Sequence, residues 1–198
     1  MTRPSARTLN YALYQAGWFA CILGPAWGYP FAGTAIALGL IGVHLALARR
    51  RRDEVVLMLW AALIGTVADS AQIALGTLGF RSGVVVAWLP PPWLVVLWMQ
   101  FATTFQYAMA WMQGRPLAAA LFGAVGGPLA FWAGWRMGVV ELHPQHWLSY
   151  LTLAVVWSIA LPLLAGLAAR QHGGAGAGEY RQRGPISAAP TPDGRRRV

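Results

Sequence analysis

Residues 54–80 form an apolar stretch with a carboxylate well inside it. A helix that crosses a bilayer needs about 20 apolar residues, and this stretch exceeds that length. Asp69 lies near its middle, where a carboxylate is costly unless it faces other helices or a wet cavity. Steps of three or four residues place small and polar residues on one helical face, namely Gly65, Asp69, Gln72, Gly76 and Gly79. The stretch therefore predicts a helix whose polar face packs inside a bundle.

The remaining chain repeats this pattern of apolar runs separated by short charged segments. It is 57% hydrophobic and only 11% charged, whereas soluble domains carry about 25% charged residues. We therefore predict an all-α, polytopic membrane protein in which about six transmembrane helices form one bundle over residues 1–170. Residues 171–198, rich in Arg, Gly, Ala and Pro, are predicted to be a disordered cytoplasmic tail. The predicted spans are residues 8–27, 31–48, 54–80, 92–112, 116–135 and 147–169.

The arginines predict the orientation of these spans. With the N-terminus inside and six spans, thirteen arginines fall on the cytoplasmic side, whereas only Arg81 and Arg136 fall on the other. This asymmetry predicts that both termini are cytoplasmic. The first apolar run contains Tyr11 and Gln15 and is followed by no cleavage site, so it is predicted to be an uncleaved span. The net charge of +9 suits a membrane surface, and no nucleic-acid partner is expected.

A buried polar site is predicted between spans three and four. Helix geometry places Asp69 about 16 Å below Phe80, and it places Thr103 about 16 Å below Pro92 on the antiparallel span four. Such a site would handle a proton, a cation or a lipid head group; the alternative is a neutral Asp69 hydrogen-bonded for packing. The predicted intramembrane polar site consists of Asp69, Gln72, Gln100, Thr103, Thr104 and Tyr107.

Two further helix faces carry regular patterns. On span one, Asn10, Gln15 and Trp18 are predicted to form a secondary polar face that serves helix packing. Span five carries small residues at helical spacing, a pattern that lets another helix approach closely. The predicted helix-packing groove consists of Gly123, Gly127, Gly134 and Gly138.

No catalytic set or metal motif is recognisable, so catalytic residues stay unassigned. Glu141, His143 and His146 match no specific zinc spacing and are expected in a solvated loop. Cys21 is the single cysteine, which excludes an intramolecular disulfide. His44 is expected near the C-terminal end of its helix, where the helix dipole favours a cation. We expect neither a metal nor a cofactor.

Several segments together resemble a known family. They are NYALYQAGWFACILGPAWGYP, GTVADS, PWLVVLWMQFATTF and GAVGGPLAFWAG, and they extend over nearly all of the chain up to Arg170. The chain resembles a family of small bacterial inner-membrane proteins, domain of unknown function 2878. The resemblance implies a location in a bacterial inner (plasma) membrane and this architecture, and it implies no chemistry. The matching positions are Asn10, Gln15, Trp18, Phe19, Asp69, Ser70, Pro92, Trp93, Trp98, Phe101, Thr104, Trp111, Gly126, Gly127 and Pro128.

These observations favour a non-enzymatic role in the membrane. The leading hypothesis is a small transport or accessory component whose buried polar site holds a lipid or small amphiphile. The alternatives are a membrane-embedded enzyme that modifies a lipid, with Asp69 as acid or base, and a structural partner of other membrane proteins or of a second copy. An enzyme needs several titratable groups at one depth, and the sequence offers one carboxylate with amides and hydroxyls.

Overall fold

Residues 3–182 fold into one bundle of six α-helices with a short two-stranded sheet at one end. The computed structural model describes the backbone of residues 3–182 and the side chains of residues 5–171. The elements are α1 (Arg3–Ala26), α2 (Pro30–Leu47), α3 (Arg51–Ala74), β1 (Leu78–Phe80), α4 (Pro92–Ala102), a 3₁₀ helix (Ala110–Met112), α5 (Pro116–Arg136), β2 (Val140–Leu142) and α6 (His146–Gln182).

Glycines end the helices α1, α3 and α5. Gly28, Gly76 and Gly138 have φ values of 83°, 67° and 77°. The N–H of the next residue then returns to a carbonyl five residues earlier, as in Thr77 to Gln72 at 3.0 Å. This arrangement satisfies carbonyls that the helix end leaves open, and it suits glycine because glycine has no Cβ. The helices α2, α4 and α5 begin instead with proline, whose missing N–H costs nothing there.

Helix α3 is shorter than the predicted span over residues 54–80. It ends at Ala74, and Leu78–Phe80 forms β1, which pairs antiparallel with β2. Gly76 and Gly79 therefore do not extend the polar helical face of Asp69; that prediction was wrong. The left-handed turn at Gly76 stops the helix, and the pairing partner of β1 is about 60 residues away in sequence, in register Gly79 with Glu141.

Helix α4 covers only the first half of the predicted span over residues 92–112. It ends at Ala102, and turns continue to the 3₁₀ helix at Ala110–Met112. Thr104 and Tyr107 therefore lie beyond the helix, contrary to the prediction of one continuous span. Most of α4 is buried, because it lies between α1, α2 and α3.

The bundle has two chemically different ends. At one end, here the sheet end, β1 and β2 connect the end of α3 to the end of α5, and Gly83 lies against Pro30 at the start of α2. At the opposite end, here the arginine end, lie the loop Arg49–Arg52 and the residues Arg115 and Arg170. Successive segments of the chain therefore run back and forth between the two ends.

Within the part of the chain that the structure describes, four helices are long and apolar enough to cross a membrane: Pro30–Leu47, Arg51–Ala74, Pro116–Arg136 and His146–Gln171. The other two predicted spans correspond to α1, which is interrupted by polar residues such as Asn10 and Gln15, and to the short apolar helix α4. Large apolar side chains such as Leu63, Leu121 and Leu151 are exposed on the outer faces of these helices, as expected for surfaces that meet lipid.

The predicted tail is only partly within the described residues. Helix α6 continues through Gln182, and residues 183–198 lie outside the described part of the chain. The prediction of a disordered tail from residue 171 stays a prediction.

Candidate functional site

A cavity of about 200 Å³ lies between α1 and α4 on one side and α5 and α6 on the other. Its lining is almost entirely apolar, and among the lining side chains only that of Tyr14 is titratable. Phe122 is 43% exposed, and Trp18 is also partly exposed, so the cavity reaches the outer surface of the bundle. The aromatic and glycine residues of the lining are Tyr14, Trp18, Trp93, Trp98, Phe101, Phe122, Gly123, Gly126, Gly127, Phe131, Gly134 and Trp157.

Two stacked tryptophans form one wall of this cavity. The rings of Trp98 on α4 and Trp157 on α6 are 4.5 Å apart between centroids and 14° apart in plane. Gly65 of α3 lies against the indole of Trp98, and Gly127 of α5 lies against the indole of Trp157. A side chain at either glycine would collide with the adjacent ring. The stack therefore bridges α3 and α5 through the centre of the bundle, and we call Trp98 and Trp157 the tryptophan stack.

Asp69 is hydrogen-bonded to this stack. The indole Nε1 of Trp98 donates to Asp69 Oδ2 at 2.8 Å, and both residues are buried. The other carboxyl oxygen, Oδ1, is buried and has no hydrogen-bond partner among the described residues. The predicted polar site surrounds Asp69 with amides and hydroxyls, whereas the observed partner of Asp69 is an aromatic N–H. Gly65 and Asp69 are one helical turn apart on α3, so the glycine that makes room for the Trp98 ring lies next to the carboxylate that accepts its hydrogen bond.

The other residues of the predicted intramembrane polar site do not form a single cluster around Asp69. Gln72 accepts a hydrogen bond from Thr152 of α6 at 3.1 Å. Gln100 donates to the carbonyl of Leu13 on α1 at 2.9 Å. Gln72 thus connects α3 to α6, whereas Gln100 connects α4 to α1. These buried amides tie helices together, as interhelical amides do in membranes.

Side chains satisfy the backbone where α4 ends inside the bundle. The hydroxyls of Thr103 and Thr104 each donate to a carbonyl three residues earlier, at 2.7 Å. Asn10 of α1 donates to the carbonyl of Thr103 at 2.9 Å, and Gln113 donates to the carbonyl of Phe105 at 2.8 Å. Irregular backbone at membrane depth is tolerated only when its polar groups have such partners. These residues therefore have a structural task in the break of α4.

The predicted secondary polar face divides in the same way. Asn10 is buried at the arginine end, where it supports the break of α4. Trp18 lines the cavity, and Gln15 between them is partly exposed. Asn10 and Trp18 thus contact different parts of the bundle.

The predicted glycine groove is occupied by α6 of the same chain. Gly123 lies against the carbonyl of Trp157, and Gly127 lies against its ring. Gly134 faces Val140, at 2.9 Å from the position a Cβ would take. Gly138 lies beyond the end of α5, in the turn toward β2, so it does not line a helix groove as predicted.

A buried polar pair at the arginine end, His44 with Glu54, was missed by sequence reasoning. His44 Nε2 lies 3.3 Å from Glu54 Oε2, and both side chains are about 95% buried. The amide nitrogen of Asn10 lies 3.5 Å from His44 Nδ1, and the ring of Tyr107 packs edge-on against the imidazole. Nε2 and Oε2 have no hydrogen-bond partner among the described residues, so the pair is a close polar contact and not a hydrogen bond.

A sequence signal for this pair existed. Glu54 lies on the buried face of α3 that also carries Leu57, Ala61, Gly65 and Asp69. His44 continues the buried face of α2 that carries Gly33, Ala37 and Ile41. The prediction for His44 was an interaction with the dipole at the end of its own helix, and Glu54 had no predicted role; the helical register was the better guide.

Arg81, Glu141 and His143, next to the two-stranded sheet, bind one another or the backbone. Arg81 pairs with Glu141 at 3.1 Å on the exposed face of the sheet. His143 Nδ1 accepts a hydrogen bond from the N–H of Gln145 at 3.0 Å. Within the described residues, no three His, Cys, Asp or Glu side chains are grouped in a way that could hold a metal ion.

Comparison with known proteins gives one match. The family described as Protein of unknown function (DUF2878) matches residues 7–163, which include the tryptophan stack, Asp69 and every residue named in the cavity lining. The chain belongs to this family. No curated protein and no solved structure matches the chain. The family assignment confirms the resemblance found in the sequence, and its description assigns no reaction.

Proposed function

We propose that this protein is a small transport or accessory component of a membrane that binds a lipid or small amphiphile. The observation that carries the proposal is the aromatic-lined cavity between α1, α4, α5 and α6. Ligand sites are concave and mostly apolar. An engineered apolar cavity of about 150 Å³ is known to bind benzene, and the cavity here is larger, at about 200 Å³.

The position of the cavity suits a ligand that arrives through the membrane. α1 packs mainly on α2 and α4, whereas α5 packs mainly on α6. The cavity lies between these groups, and its partly exposed residues Trp18 and Phe122 belong to helices of both. An apolar chain that lies in the bilayer can therefore pass between α1 and α5 without entering water.

The two alternative functions receive less support from the geometry. A lipid-modifying enzyme needs acids, bases or nucleophiles at the bound ligand, and the described lining offers only the Tyr14 hydroxyl. Asp69 is turned toward Trp98 and does not line the cavity. A structural partner that uses the glycine groove would compete with Trp157, which already fills it.

We further propose six membrane passes in a bacterial inner membrane, with both termini in the cytoplasm. α1 and the segment 92–112 would supply the two passes beyond the four long apolar helices. The arginine loop Arg49–Arg52 and the residues Arg115 and Arg170 share one end, which supports placing that end in the cytoplasm.

Reporter fusions test this topology. An enzyme that is active only outside the cytoplasm should be inactive when fused after Arg170 and active when fused after Arg136, because these residues lie at opposite ends of the bundle. The measurement is reporter activity in intact cells, corrected for the amount of each fusion. Activity after Arg170 that equals activity after Arg136 would rule out the six-pass arrangement.

Filling the cavity should remove the ligand. Gly126 lines the cavity, and the only side chain within 4 Å of the position its Cβ would take is the Phe122 ring, at 3.6 Å. Gly126→Phe is therefore expected to keep the fold and to lower the fraction of lipid-bound protein at least tenfold. Native mass spectrometry of the protein purified in a mild detergent measures that fraction.

Gly39→Phe is the matched control for this experiment. Gly39 lies on the outer face of α2 with nothing within 4 Å of its Cβ position, so the same side chain is added away from the cavity. This control should retain the lipid bound by the wild-type protein. Equal lipid fractions in both variants, or a wild-type protein that carries no lipid, would contradict the proposed function.

A further inference from the structure

Asp69 is buried behind the cavity wall and contacts the tryptophan stack instead of the cavity itself. Its carboxylate accepts the only hydrogen bond that the Trp98 indole donates, at 2.8 Å. Trp98 cannot move away from Trp157 without entering α3, because Gly65 already lies against the opposite face of the ring. The ring of Trp98 is thus held by a hydrogen bond at its edge and by packing on both faces.

We propose that Asp69 is a positioning residue that fixes the tryptophan stack and thereby selects which apolar chains the cavity accepts. This inference rests on the proposed function. A wall of fixed indoles sets the width of the cavity, so a thin unbranched chain fits better than one with methyl branches. Without the hydrogen bond, Trp98 gains rotamer freedom about its side-chain bonds and the width is no longer fixed.

The burial of the Asp69 carboxylate distinguishes this positioning role from a role in handling protons or cations. A group that handles protons or cations needs access to the ligand or to water, and both Asp69 oxygens lie inside packed protein, with Oδ1 completely buried. Asparagine offers the same oxygen acceptor to the Trp98 N–H but cannot exchange a proton. Asp69→Asn should therefore keep the stack in place, whereas Asp69→Leu should release it.

The experiment measures lipid selectivity. Delipidated protein in detergent is incubated with equal amounts of dipalmitoyl- and diphytanoyl-phosphatidylglycerol, and native mass spectrometry gives the ratio of the two adducts. Wild-type protein is expected to prefer the unbranched lipid. Asp69→Asn should stay within twofold of the wild-type ratio, whereas Asp69→Leu should reduce the preference at least threefold. Trp98→Phe, which keeps a ring but cannot donate, should act like Asp69→Leu and serves as the second variant if that protein does not fold.

Gln72→Leu is the control for a merely structural effect. Gln72 is buried on the same face of α3, bonded to Thr152 and not part of the cavity lining. This variant should lose thermal stability and keep the wild-type ratio. An unchanged ratio in Asp69→Leu, or an equal change in Gln72→Leu, would overturn this inference alone. Absence of both adducts from the wild-type protein would contradict the proposed function and this inference with it.

Discussion

Glu54→Leu is expected to lower the free energy of unfolding by about 1–3 kcal/mol, because it leaves a buried polar group without the group it faces. The change leaves His44 Nε2 buried at 3.3 Å from a carboxylate that is no longer there. A buried polar group without a partner costs the desolvation that its partner had offset. The connection to Asn10 of α1 also passes through this imidazole, so α1 should lose part of its attachment to α2. The loss should appear as a lower melting temperature in detergent.

Two comparisons make this prediction specific. The double variant His44→Leu with Glu54→Leu removes both polar groups and should be more stable than Glu54→Leu alone, because neither the imidazole nor the carboxylate is then left without the other. Glu141→Leu breaks the exposed pair with Arg81, which is 61% exposed, and should cost no more than about 1 kcal/mol. If Glu54→Leu melts at the same temperature as Glu141→Leu, the buried pair does not hold the arginine end together.

Gly127→Leu is expected to destabilise the protein by about 1–3 kcal/mol or more, because it overpacks a close contact between α5 and α6 in the bundle centre. A Cβ at Gly127 would lie 2.7 Å from the Cβ of Trp157 and would collide with its ring. Trp157 cannot retreat, since its other face is stacked on Trp98. The displacement should pass through the stack to α3, and a lower melting temperature in detergent would record it.

Gly166→Leu is the matched control for this change. Gly166 lies on α6 with nothing within 4 Å of its Cβ position, so the same side chain meets no obstacle. Its melting temperature should equal or exceed that of the wild-type protein. A Gly127→Leu protein as stable as the Gly166→Leu protein would show that α5 and α6 do not pack closely at this position.

The sequence predicts the parts of this fold that local periodicity determines. The apolar runs locate all six helices, and the helical spacing of Gly123 and Gly127 predicts the close contact that α6 makes there. The position of Asp69 well inside an apolar run predicts that its side of the helix is buried, as the structure shows. In each case the residues that decide the outcome belong to one helix, so their register is visible in the sequence.

The remaining features depend on residues far apart in sequence. The break after Ala102 is stable because Asn10 and Gln113 reach the carbonyls of Thr103 and Phe105, just beyond α4, from elsewhere in the chain. The partner of Asp69 is an indole 29 residues away, and the partner of Glu54 belongs to the preceding helix. A single sequence shows which of these groups are costly to bury, but their pairing depends on how the helices pack.

The central claim, that an apolar chain occupies the cavity beside the tryptophan stack, is tested most directly by locating such a chain. A crystal structure of the protein grown in lipid that contains a phosphatidylglycerol with dibrominated acyl chains would give anomalous bromine peaks. The account predicts a pair of peaks inside the cavity, between Gly126 and the stacked rings of Trp98 and Trp157. Bromine peaks confined to the outer surface of the helices, with the cavity closed by contact between α1 and α5, would contradict it.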